Sequence, residues 1–110
     1  MSDERCVWIF VNEGDRIGHR GVTEHVMRRA MELGLAGATA FRAVEGFGEH
    51  LLLRRSTLLS MDDDEGIVIV IIEERERLDA LLEHLEADGV RALVVELPAT
   101  TRTLGRPARP

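Results

Sequence analysis

The sequence predicts an α+β fold: a four-stranded antiparallel sheet with two helices on one face, built in the order strand, helix, strand, strand, helix, strand. Two unbroken apolar runs, Cys6 to Val11 and Ile67 to Ile72, carry most of that prediction. Each is apolar at both parities, so each must be covered on both faces and belongs at the centre of a sheet. The third observation is the helical periodicity that follows each run, ended in each case by a glycine.

The first run, Cys6-Val7-Trp8-Ile9-Phe10-Val11, is rich in β-branched and aromatic residues and reads as the first strand. A polar loop from Asn12 to Gly21 leads to a helix over Val22 to Leu33, where Val22, Val26, Ala30 and Leu33 recur at helical spacing and Met27 and Met31 widen the apolar arc. Glu24, Arg28 and Glu32 stand four residues apart on the other side, pairs that each stabilise a helix by roughly 0.2 to 0.5 kcal/mol. Gly34 then supplies the residue that tolerates positive φ at a helix end.

Ala38 to Val44 forms a second strand with Thr39 and Arg42 placing polar groups on both faces, which suits an edge. The strongest strand, Ile67 to Ile72, follows the acidic turn Asp62-Asp63-Asp64-Glu65-Gly66. Leu78, Leu81, Leu82 and Leu85 repeat at i, i+3, i+4 and i+7 in a second helix, with Glu73 and Glu74 at its positive dipole end and Asp88-Gly89 at its stop. Ala92 to Leu97 is the last strand, before Pro98. Right-handed crossovers and short connections fold this order into a ferredoxin-like βαββαβ sandwich, whose first and third strands are central. One domain therefore spans residues 1–97, and residues 98–110 form a basic, flexible tail.

This arrangement has a consequence for assembly. Both helices cover one sheet face, so one parity of each central strand lines the other, and an open apolar face of that size exceeds the few hundred Å² a soluble monomer normally exposes. A homo-oligomer packed through its sheets is expected.

Composition narrows the function. A net charge of −6 argues against a general nucleic-acid binder, which needs a basic face to displace counterions. The one cysteine, Cys6, cannot close an internal disulfide and reads as an inert buried thiol, and no apolar run approaches the ~20 residues of a membrane span. A cytoplasmic protein that is not itself a membrane protein is expected.

The segment from Glu45 to Gly66 is much longer than the usual connection of about 4 to 6 residues, so it is either functional or contains extra strand. Leu51 to Leu53 and Leu58-Leu59 suit a hairpin arm. Gly46 and Gly48 permit backbone that turns consecutive amides toward an anion, with Arg42, Arg54 and Arg55 to add positive charge. The competing reading is a glycine-bearing turn with solvated arginines, or an Arg42 to Glu45 ion pair between subunits. Phe47 is either a lid that stacks on a base or an anchor in an intersubunit pocket, and His50 either bonds a ligand or is a polar surface residue. The candidate ligand-binding set is Arg42, Glu45, Gly46, Phe47, Gly48, His50 and Arg54. His25 and His84 fall on charged helix arcs and are expected to face solvent. No catalytic set, metal site or cofactor is expected, because no nucleophile stands at motif spacing from a base and no acidic or histidine cluster has metal-loop spacing.

Gly34-Leu35-Ala36-Gly37-Ala38-Thr39, then Glu45-Gly46-Phe47-Gly48 with His50 shortly after, give the chain a resemblance to the PII-like bacterial proteins of domain of unknown function 190, over roughly Val7 to Leu97. The resemblance implies a ferredoxin-like homotrimer related to PII signalling proteins. It implies a regulatory role without enzymatic activity: a small anionic effector, such as an adenine nucleotide, held in intersubunit clefts, and a long loop, here Glu45 to Gly66, that contacts a partner such as a transporter or metabolic enzyme. The chain departs from PII proteins in having only Ala87-Asp88-Gly89 where those carry a long glycine-rich basic loop. Alternatives are a metal-responsive trimer of the copper-tolerance (CutA) type, which shares the fold, and a small enzyme using the same cleft.

Overall fold

A computed structural model of the chain describes residues 3–48, 51–55 and 66–105. In chain order the elements are β1 (Glu4–Asn12), β2 (Arg16–Ile17), β3 (Arg20–Gly21), α1 (Val22–Glu32), β4 (Thr39–Arg42), β5 (Glu45–Gly48), β6 (Leu51–Arg55), β7 (Gly66–Glu74), α2 (Arg75–Ala87) and β8 (Leu93–Pro98). The main sheet is antiparallel in the order β4-β7-β1-β8, so the two apolar runs are its central strands. β1 pairs with β7 from Glu4↔Glu74 to Asn12↔Gly66 and with β8 from Arg5↔Pro98 to Phe10↔Leu93. The Asn12 to Gly21 segment, expected as a loop, contains the small ribbon β2–β3, turned at Gly18 with φ 65°.

Alternation along the central strands divides the sheet into two faces. Val7, Ile9 and Val11 of β1 and Ile67, Ile69 and Ile71 of β7 point to the helices and are buried. Val22, Val26 and Ala30 of α1 and Leu78, Leu81 and Leu85 of α2 complete that core. Met27, Leu33 and Leu82 pack at its margin, whereas Met31 is exposed: the apolar arc of α1 is narrower than its sequence predicts.

The connection from α1 to β4 is held by polar bonds. Gly34 adopts φ 77° just past the helix, and its carbonyl accepts a 2.8 Å hydrogen bond from Arg77 Nη1. The Ala36 amide donates to Glu73 Oε2 at 2.9 Å. Burial works to raise the Glu73 pKa, but the amides of Glu74 and Ala36 and the charge of Arg77 outweigh it and hold the carboxyl below its ordinary value. Sequence between Gly34 and Thr39 is thus pinned to the end of β7 and the start of α2, just before β4 begins. Past β8, the Ala99 amide donates to the Glu4 carbonyl at 3.1 Å and the Thr101 hydroxyl to the Glu4 carboxylate at 3.0 Å.

Candidate functional site

The face of the sheet away from the helices is a continuous apolar surface. Register places its side chains in rows across the strands: Thr39, Val70, Trp8 and Val95; Phe41, Val68, Phe10 and Leu93; Ile72, Cys6 and Leu97. Trp8 is 41% exposed, Ile72 44%, Leu93 52% and Phe41 57%. The rings of Trp8 and Phe10 lie 6.4 Å apart at their centroids. Cys6, expected to be buried, is only half-covered, because it lies on this open face, away from the helices.

At the β4 rim of this face lies a hollow of about 420 Å³ lined by Ala36, Gly37, Ala38 and Thr39 with Val70 and Ile72. Its wall is the Gly34 to Thr39 stretch that Glu73 and Arg77 fix in place. The lining is small and apolar, so a flat ligand body fits it better than a charged one.

The predicted ligand set lies beyond the other end of β4. Arg42 is its last residue, with Nη2 3.8 Å from Glu13 Oε2. Glu45, Gly46, Phe47 and Gly48 form β5, paired antiparallel with the strand that carries Arg54. The register is Glu45↔Arg55, Gly46↔Arg54 and Gly48↔Leu51, with a shift between Gly46 and Gly48, an irregularity that takes backbone groups out of the ladder. The structure therefore brings Glu45, Gly46, Phe47, Gly48 and Arg54 together on one short hairpin directly after Arg42. His50, Leu58-Leu59 and the acidic turn Asp62 to Glu65 lie outside the described residues, as does the alternative of lid or anchor for the Phe47 ring.

One polar cluster was not legible in the sequence. His25, expected on a solvent-facing arc, is 8% exposed. Its Nε2 lies 2.7 Å from Asp88 Oδ2, and Arg29 meets the same carboxylate through Nε at 2.7 Å and Nη2 at 2.9 Å. An ionised carboxylate only accepts, so the imidazole carries its proton on Nε2. Arg29, and after it His25, hold the Asp88 carboxyl well below the usual carboxylate range against the desolvation that would raise it. The cluster ties α1 to the C-terminal cap of α2. His84 is exposed, and its Nδ1 donates to the Ala80 carbonyl at 2.8 Å.

Residues 5–99 match the protein family described as DUF190, Uncharacterized ACR, COG1993. The chain belongs to the DUF190 family. A UPF0166 protein of Aquifex aeolicus (strain VF5) is 32% identical over 83 residues, covering 76% of this chain and 79% of the relative. Among solved structures, CPII from Thiomonas intermedia K12, bound to ADP and bicarbonate, superposes with a TM-score of 0.62 at 21% identity, over 86% of this chain and 83% of its own. CutA1 from Oryza sativa superposes with a TM-score of 0.57 at 17% identity, over 94% of this chain and 85% of its own. At these identities the likeness establishes the fold: this DUF190 chain has the α+β, ferredoxin-like architecture of PII-like proteins. No helix among the described residues is long and apolar enough to cross a membrane, and no group of three or more histidine, cysteine, aspartate or glutamate side chains among them is placed to hold a metal ion.

Proposed function

We propose that this chain is a PII-like regulatory protein without enzymatic activity, acting in the cytoplasm as a homotrimer. It binds a small anionic effector, such as an adenine nucleotide, in the clefts between subunits beside Arg42 and Glu45 to Gly48. Occupancy is passed through the 45–66 segment to a protein partner, a transporter or a metabolic enzyme. The observation that carries this reading is the uncovered apolar sheet face, whose rows of Trp8, Phe10, Phe41 and Leu93 need a covering that the chain's own helices do not supply.

Assembly through that face puts the hollow at Ala36 to Thr39 on a subunit seam and gives a ligand body an apolar wall. The hairpin after Arg42 supplies irregular backbone and arginines for the anionic end. ADP bound to CPII supports this class of effector in a protein of the same fold. The mechanism is a population shift: hairpin conformations differ in affinity for the effector, so occupancy selects the shape that the partner reads. The test is a thermal-shift screen against adenine nucleotides and divalent metals. Stabilisation by a nucleotide that is lost in Gly46→Val supports the reading, and a response to metal ions alone overturns it in favour of a metal-responsive trimer.

A further inference from the structure

The charge of this chain is distributed unevenly, and the unevenness marks a second site. The molecule carries a net charge of −6, yet a cleft of about 740 Å³ along α1 is lined by Arg20, His25, Arg28 and Arg29 against one carboxylate, Glu32, with Met31 between. These four basic side chains are not equivalent. Arg29 is committed to Asp88 by two hydrogen bonds, and His25 is fixed by the same carboxylate, so both form a braced wall. Arg28 lies 3.8 Å from Glu24, each more than half exposed, a pair that water screens and that exchanges readily. Arg20 makes no ion pair with another described residue.

We propose that this cleft binds a small phosphate monoester whose far end carries hydroxyl donors. Guanidinium groups present planar forks that match phosphate oxygens, and Arg20 and Arg28 are the two the fold leaves available for that role. Glu32, at the last turn of α1, only accepts hydrogen bonds and repels a second anionic group, so it selects a ligand that is anionic at one end and hydroxylated at the other. The eleven residues of α1 span about 16 Å, a length that accommodates a phosphorylated sugar between Arg20 and Glu32. This site lies on the helix layer, on the opposite side of the sheet from the open face, and does not depend on the effector reading above.

The experiment is an NMR titration of the full-length protein with ribose 5-phosphate and, separately, inorganic phosphate, followed by the same titrations on variants. Amide shifts are expected over residues 20–32, with ribose 5-phosphate binding more tightly than inorganic phosphate. Arg20→Ala combined with Arg28→Ala should weaken binding by about tenfold or more. Glu32→Ala should erase the advantage of the sugar, and Arg42→Glu should leave both affinities unchanged. The substituted side chains lie outside the hydrophobic core, so the double variant is expected to keep the wild-type spectrum elsewhere. Absence of shifts over residues 20–32 at millimolar ligand, or equal affinity in the double variant, overturns the proposal. Loss of binding in Arg42→Glu alone also overturns it, by assigning the phosphate to the hairpin.

Discussion

Trp8→Ala probes the open sheet face without touching the core. Trp8 sits mid-strand between Val70 and Val95 and is 41% exposed in the isolated chain. A tryptophan presents on the order of 250 Å², so assembly that covers the remainder removes roughly 100 Å² from water. At about 25 cal/mol per Å² this contributes at most ~2.5 kcal/mol per copy, or ~7.5 kcal/mol for three. Each 1.4 kcal/mol is a factor of ten, so the association constant of a trimer is expected to fall by up to about five powers of ten. Sedimentation velocity over a concentration series reads this directly, and far-UV circular dichroism checks that the fold persists. Wild-type and Trp8→Ala protein sedimenting identically over that series would refute the argument that this face is where subunits meet.

Leu81 is fully buried in the layer between α2 and the sheet, and Leu81→Ala is expected to cost about 2 to 5 kcal/mol, read as a lower urea midpoint. The Asp88 carboxyl gives a pH dependence of defined sign. Its folded pKa is depressed, so its contribution to stability is fully present above the unfolded value of about 3.9 and is lost as pH falls through the folded value. Asp88→Asn should therefore lower the melting temperature at neutral pH and flatten the loss of stability in acid. Equal acid-unfolding curves for the two proteins would show that the His25–Asp88–Arg29 cluster does not brace the helices.

The fold was legible where local pattern and tertiary position agree. Apolar residues at both parities in Cys6 to Val11 and Ile67 to Ile72 require two covered faces, and those runs are the central strands. The spacing of Leu78, Leu81 and Leu85 likewise named the buried face of α2. Legibility failed where burial comes from a distant segment. His25 sits among charged neighbours on α1, and only the arrival of Asp88, 63 residues later, covers it. The covering of Cys6 fails for the converse reason: its strand is central, but its side chain lies on the sheet face turned away from the two helices. The Glu45 to Gly48 strand was readable only as an option, because its two glycines break the alternation that marks a ladder.

If the proposed effector site forms only at the seams between subunits, Trp8→Glu removes it, and calorimetric titration of ADP into the wild type and into this variant reads that loss. Trp8 is not among the residues lining the Ala36 to Thr39 hollow or forming the hairpin. The predicted result is ADP binding by the wild type and its loss in the dissociated variant. ADP binding of equal affinity by a monomeric Trp8→Glu protein, or no binding by the wild type, would contradict the claim.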